Sequence, residues 1–317
     1  MQNETPMSHK IIIDTDPGID DAMAIFFAFQ SKDIDVLGLT TVYGNVPVEM
    51  AAQNALTLCE LAGQDIPVCK GVGMPWVGPQ SQYAHFVHGD DGLGNIYPTP
   101  SKRSLDPRSS AQFIVDMAHQ YPGEITVVAI GPLGNLALAL RLEPELPNLL
   151  KGVSIMGGAA FVPGNVTPVA EANIWNDAYA AEIVFGAPWD LTMFGLDVTN
   201  SLPFPPEFLI RLREKNPKLG GFVHDAAQFY MDFYSQNRPD RVCFFHDVMP
   251  IAHLVDPSLF EIQRGHARVA TDPLTIGQTI IAPKNSTSST MWLNAQQIDV
   301  AIKVDKARLT QLYIDTY

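Results

Sequence analysis

Basic side chains are scarce in this chain. Lys and Arg total 20 against 34 Asp and Glu, a formal net charge of −14 over 317 residues. Binding to DNA or RNA rests largely on Lys and Arg neutralising phosphates. The balance therefore argues against nucleic-acid partners and leaves small ligands open. Cysteine is scarcer still. Cys59, Cys69 and Cys243 are scattered and odd in number, and they read as reduced, partly buried thiols of a cytoplasmic protein rather than a disulfide framework. No apolar run approaches the roughly 20 residues that a membrane-spanning helix needs. The first ten residues are polar and lack the apolar core of a secretory leader. There is no internal repeat and no low-complexity segment. What is present is a hydrophobic fraction of 46%, ordinary for a globular core. The length is one that a single large α/β domain, residues 1–317, can reach.

Against this background one cluster stands out. Asp14, Asp16, Asp20 and Asp21 fall within eight residues, between the apolar run Ile11, Ile12, Ile13 and a second apolar stretch over 22–29. The first run reads as a buried parallel strand, the second as a helix beginning near Asp20, and Pro17 with Gly18 as the turn between them. Like charges so crowded persist only if a cation binds them or some hold a proton. A hard divalent cation with oxygen ligands is the natural counter-charge. A single Asp here could be a helix cap, but four need more. An EF-hand loop fails, because its twelfth position should be a bidentate Glu and counting from Asp14 it is Ile25. An aspartate-nucleophile phosphatase would need cationic phosphate-binding residues, and the loop has none.

Strand and helix patterns alternate along the rest. Strands are expected over 36–42, 67–70, 125–130, 153–156, 191–194, 261–269 and 298–304. Helices are expected over 48–62 with Gly63 as C-cap, then 111–120, 133–142, 177–185 and from 306 onward. Two irregular stretches, 71–107 and 157–173, interrupt the pattern, and 205–255 is mainly helical. Such alternation implies an α/β fold with a doubly wound, mostly parallel Rossmann-like sheet and additional helices near the C-terminal half. In such a sheet the strand ends share one edge. Asp16, Asn45, the Ile130 carbonyl and Met156 all lie at predicted strand ends. Asn165, Glu171 and Asn173 lie on a loop, and His246 with Asp247 at a helix start. Singly each has a plainer reading, as cap, core or solvated loop residue.

Together these residues make the chain resemble the ribonucleoside hydrolases of the inosine-uridine-preferring type. The anchor is the run from Asp14 to Ala22, Asp-Thr-Asp-Pro-Gly-Ile-Asp-Asp-Ala. Further matches follow in order: Tyr43-Gly44-Asn45, His88-Gly89 with Gly92-Leu93, Gly131-Pro132-Leu133 with Asn135, Met156-Gly157-Gly158, Glu171-Ala172-Asn173 and His246-Asp247. Gly134 stands where the family often has Thr, and Ala178 follows Asp177 where Pro is common. The resemblance implies bound Ca²⁺ and hydrolysis of free nucleosides to ribose and base. It also implies a homodimer or homotetramer with no nucleic-acid or membrane partner. Asp16, Asp21, Asp247 and the Ile130 carbonyl would hold the ion, with Asp16 as general base. Asp20, Asn173 and Asn45 would hold the ribose hydroxyls. Asn165 and Glu171 would take the 5′-hydroxyl, and Met156 would pack under the sugar. His246 would activate the leaving base, with His88 the second candidate and Tyr230 and Tyr234 beside it. The two tyrosines could equally be ordinary amphipathic-helix residues. Rival functions are a metal-dependent phosphatase, marked by phosphate release without base release, and a non-catalytic ribose- or Ca²⁺-binding module, marked by no turnover.

Overall fold

The computed structural model describes residues 8–78, 82–236, 238–283 and 289–317. Most of the polar N-terminal stretch, residues 1–7, and part of the irregular 71–107 stretch, residues 79–81, lie outside the described residues. The strands are β1 (His9–Thr15), β2 (Ile34–Thr41), β3 (Val68–Lys70), β4 (Ile125–Ala129), β5 (Gly152–Met156) and β6 (Leu191–Phe194). They continue with β7 (Pro203–Phe204), β8 (Cys243–Phe244), β9 (Phe260–Val269), β10 (Thr279–Pro283) and β11 (Gln297–Val304).

Nine of them form one sheet in the order β10-β9-β11-β6-β5-β4-β1-β2-β3. From β3 through β11 the neighbours run parallel; β9 and β10 close the far edge antiparallel. The chain builds outward from β1 to β3, then returns to β1 and builds the other way through β4. The crevice between β1 and β4 is therefore the topological switch point, where α/β sheets place ligands beyond the carboxyl ends of the strands. Asp14 pairs with Ala129 there, so the aspartate turn and Ile130 emerge side by side.

Alternation along β1 sends Ile11 and Ile13 into the hydrophobic cluster on one face and Ile12 into the cluster on the other. Both faces are thus covered, which is why the middle of β1, Ile11 to Ile13, is wholly apolar between the half-buried His9 and Lys10 and the terminal Asp14 and Thr15. The Ile19–Gln30 helix is buried over all but its last two residues, sandwiched under the added C-terminal helices Leu219–Ser235 and Val248–Val255. Helix Val48–Ala62 and its left-handed Gly63 cap, φ 69°, match the sequence expectation.

Several short elements were not expected, among them three close to the site or the sheet edge. A helical turn, His85–His88, sits inside the 71–107 stretch, and Ala172–Asn176 begins at the end of the 157–173 stretch. Strand β10 ends at Pro283 on the sheet edge, where a missing N–H costs nothing. Elements this short carry no period to read. No helix among the described residues is long and apolar enough to cross a membrane.

Candidate active site

The aspartate turn is held by its own neighbours. Thr15 Oγ1 donates to Asp21 Oδ1 at 2.6 Å, and the Gly18 N–H donates to Asp21 Oδ2 at 2.9 Å. The Asn45 backbone N–H donates to Asp16 Oδ2 at 2.6 Å, while its Nδ2 donates to Asp21 Oδ2 at 3.1 Å. Asn45 therefore ties two carboxylates together. Gly44 and Gly131 flank Asp16 so tightly that a Cβ on either would fall 1.9 and 2.5 Å from its oxygens. Asp14 lies deeper, accepting from Thr40 and Asn135. The N-terminus of the Ile19–Gln30 helix adds a favourable dipole for Asp20 and Asp21.

Asp247, ahead of the Val248–Val255 helix, joins the cluster from the other half of the chain. One carboxylate oxygen each from Asp20, Asp21 and Asp247 lies within 4.8 Å of the other two. This triple overlaps the expected set of Asp16, Asp21, Asp247 and Ile130 without coinciding with it. Asp16 stands just outside it, and the Ile130 carbonyl accepts from Asn173 Nδ2 at 3.0 Å, with a second lone pair left over. Burial raises every one of these carboxyl groups. Asp16 lies well above its ordinary value, by desolvation and then by the charge of Asp21. Asp20 is raised to about 7 by desolvation and then by Asp21. Asp247 lies well above its ordinary value by desolvation and then by Asp20. No Lys or Arg pairs with any of them among the described residues; Asp16 Oδ1 and Asp20 Oδ1 are buried without a hydrogen-bond partner, and His88 Nδ1 lies 3.9 Å from Asp20 Oδ1. Oxygen-only donors, converging and uncompensated, fit a hard divalent cation.

Above this floor lies a cavity of about 390 Å³, within the range for small-molecule sites. It is lined by Asp20, Asn45, Ile130, Met156, Asn165, Glu171, Asn173 and Asp247, and by His88, Tyr230, Tyr234 and His246. Every residue expected at the site thus lines this cavity except Asp16 and Asp21, which are bonded to Asn45 behind it. Asn173 is fixed by bonds from its Nδ2 to the carbonyls of Ile130 and Met156. Glu171 caps its own short helix, accepting from the N–H groups of Asn173, Ile174 and Gly158. Its burial raises the carboxyl to about 7. Asn165 is exposed at the mouth and accepts from Ala172 N–H at 3.0 Å.

The histidine and tyrosine wall is a hydrogen-bonded chain. Tyr230 OH donates to Asp20 Oδ2 at 3.1 Å, Tyr230 and Tyr234 hydroxyls are 3.4 Å apart, and Tyr234 OH lies 3.0 Å from His246 Nε2. The tyrosines are therefore site residues as well as helix residues. Ile19 N–H donates to His88 Nδ1 at 3.2 Å, which puts the His88 proton on Nε2. Gly18 makes this approach possible, since a Cβ there would lie 2.7 Å from His88 Nδ1. Desolvation lowers His88 to about 3, aided by the nearby His246. Desolvation and then the charge of Arg238 lower His246 to about 4. Both imidazoles are neutral near pH 7. His246 is therefore a hydrogen-bond donor rather than the imidazolium acid that an ordinary histidine pKa suggests.

Sequence reasoning missed Ala84, Phe86, Val87, Val166, Asn200, Phe233 and Arg238, which also line the cavity. Phe233 adjoins Tyr234 on one helix, but nothing in the sequence places Phe86 against it, ring centroids 5.7 Å apart.

The family model described as inosine-uridine preferring nucleoside hydrolase matches residues 11–311. A probable uridine nucleosidase 1 of Oryza sativa subsp. japonica is 40% identical over 307 residues, covering 96% of this chain and 94% of its own. An inosine-uridine preferring nucleoside hydrolase of Leishmania major is 37% identical over 319 residues, covering 98% and 97%. Among solved structures, a plant nucleoside hydrolase superposes with a TM-score of 0.94 at 39% identity, over 98% of this chain and 99% of that one.

Proposed function

Since the chain belongs to the inosine-uridine preferring nucleoside hydrolase family, we propose that it cleaves uridine and inosine, with Ca²⁺ held by Asp16, Asp21, Asp247 and the Ile130 carbonyl. Hydrolysis of the N-glycosidic bond of free ribonucleosides is its activity. One observation carries the detailed reading: buried carboxylates without a Lys or Arg partner and two neutral histidines share one cavity.

When bound, the cation supplies Lewis acidity that lowers the pKa of a neighbouring water. Asp16 takes the proton from that water. Asn45 fixes its Oδ2, and Oδ1 has no other partner. The water oxygen bonds to the anomeric carbon as the C1′–N bond breaks, and the bonding pair leaves with the base. Positive charge builds on the ribosyl ring, as in related glycoside chemistry, and the surrounding carboxylates stabilise it. Asp20, Asn173 and Asn45 hold the 2′- and 3′-hydroxyls. Asn165 and Glu171 take the 5′-hydroxyl, and Met156 packs under the sugar. On the base side the neutral His246 donates a hydrogen bond to the leaving base from Nδ1, an atom buried with no partner, while Nε2 accepts from Tyr234. His88 donates from Nε2.

The test is a panel of free nucleosides assayed for ribose release with and without a chelator. Release from uridine and inosine, abolished by chelation and restored by Ca²⁺, is expected. Release that ignores the chelator would overturn the metal reading. We further read the chain as one domain, a cytoplasmic homodimer or homotetramer. The single sheet drawing strands from both ends of the chain supports the first, and three free, buried cysteines support a reducing compartment.

A further inference from the structure

Arg238 is the one Lys or Arg among the described residues that line the cavity. Its guanidinium carbon sits 4.7 Å above the centre of the Phe244 ring. Phe244 in turn stacks on His246, ring centroids 5.6 Å apart at 25°, so Arg238 belongs to the base side of the cavity. The side chain is exposed, and it makes no hydrogen bond or ion pair with a described residue. Seven of the other nine arginines, Arg103, Arg108, Arg213, Arg241, Arg264, Arg268 and Arg308, each meet a carboxylate, and the remaining two, Arg141 and Arg211, do not line the cavity. Arg238 is thus a planar fork of five donors, held by stacking and free to meet a ligand. The remaining base-side polar groups are neutral hydroxyls and imidazoles that can both donate and accept. A guanidinium can only donate.

We propose that Arg238 reads the carbonyl edge of the nucleobase, so that the enzyme favours oxo-bases over amino-bases. The inference rests on the nucleoside-hydrolase reading of the cavity. A 6-oxopurine presents O6 and N7, two acceptors side by side, which suits a bidentate arginine. Adenine puts an amino donor beside N7. Uracil presents O4 where cytosine carries an amino group. A donor-only group facing an amino donor leaves both unpaired, and that mismatch is what discriminates. The same charge also stabilises the electron pair that departs with an oxo-base, since the carbonyl oxygen shares it.

The experiment compares kcat/KM for uridine, cytidine, inosine and adenosine in wild type, Arg238→Met and Arg238→Lys. Methionine keeps an unbranched stem over Phe244 and removes every donor. Wild type is expected to prefer uridine over cytidine and inosine over adenosine. Arg238→Met should lower the two oxo-nucleosides by roughly tenfold or more, the scale of one lost bidentate contact. The amino-nucleosides should hold within about threefold, because a single unmade contact is all they could lose. Arg238→Lys keeps the charge without the fork and should fall between. Melting curves should coincide, because the guanidinium bonds to nothing in the fold. Equal losses on all four nucleosides, an unchanged ratio, or a wild type with no preference would overturn the proposal. A wild type that releases ribose from none of the four would overturn the nucleoside reading itself, and this inference with it.

Discussion

On one side of the cavity, four aspartates from three segments converge on a buried floor, each position fixed by strand ends, tight glycines and backbone N–H donors. The rest of the lining has two histidines, two tyrosines and an arginine, carried by a helix, a single helical turn, the segment between Leu219–Ser235 and β8, and the residues between β8 and the Val248–Val255 helix. The floor is crowded with carboxyl groups that lack a cationic partner, while the two histidines and two tyrosines of the wall are neutral and hydrogen-bonded at His88 Nδ1, His246 Nε2 and both tyrosine hydroxyls. Negative charge faces the ring that turns positive, and neutral donors face the base that turns negative. The comparison teaches that one cavity can hold anions and neutral donors within a single site, with His246 and Asp247 adjacent in the chain yet assigned to opposite charges.

Removing the floor's base should have the largest effect. Asp16→Asn keeps an oxygen toward the ion and loses the proton acceptor. Its kcat on uridine should drop by roughly 10³-fold, within the usual range for general-base loss, while KM moves far less. Wild-type turnover in this variant would assign the base elsewhere. The wall comes next. His246→Ala should cost natural nucleosides about 10²-fold and p-nitrophenyl riboside much less, because that leaving group needs little proton assistance. Equal losses on both would move His246 out of the leaving-group role.

A thermodynamic contrast follows from the raised carboxyl groups. Asp20 and Glu171 sit near 7 in the folded chain, against roughly 4 unfolded. Their contribution is fully favourable below pH 4. It is lost as pH rises toward 7, because the unfolded chain ionises first. The melting temperature of the chelated protein should therefore fall by several degrees between pH 4.5 and 7.5. Added Ca²⁺ should shrink this fall. A flat chelated profile would break the distinction between an uncompensated floor and a satisfied wall.

The smallest effect concerns the 5′ end. Glu171 is half-ionised near pH 7, so charge repulsion of a 5′-phosphate should strengthen as pH rises from 6 to 8. The kcat/KM ratio of uridine to its 5′-monophosphate should climb several-fold over that range in wild type and stay level in Glu171→Gln. A ratio that is large and level in both would make the exclusion steric.

The same comparison explains how much of the molecule was legible. The floor is mostly one contiguous motif, Asp14 to Asp21, and crowded like charge on a strand end announces itself without any structure. The sheet was legible too, because buried parallel strands read as unbroken apolar runs, as Ile11–Ile13 does. The wall was only partly so. Tyr230 and Tyr234 share a helix face, yet their link to Asp20 spans 210 residues and leaves no trace in local pattern. Phe86 and Arg238 belong to none of the motifs, and both are exposed. The neutral state of His246 was hidden as well, since it depends on burial by elements remote in sequence.

The central claim is that the carboxylate floor is a divalent-cation site. Calorimetric titration of the chelated protein with Ca²⁺ at pH 6 and pH 8 tests it most directly. The account predicts one ion per chain, bound with proton release, more tightly at pH 8 than at pH 6, and markedly weakened in Asp247→Asn. No binding at millimolar Ca²⁺, or binding indifferent both to pH and to Asp247→Asn, would contradict it.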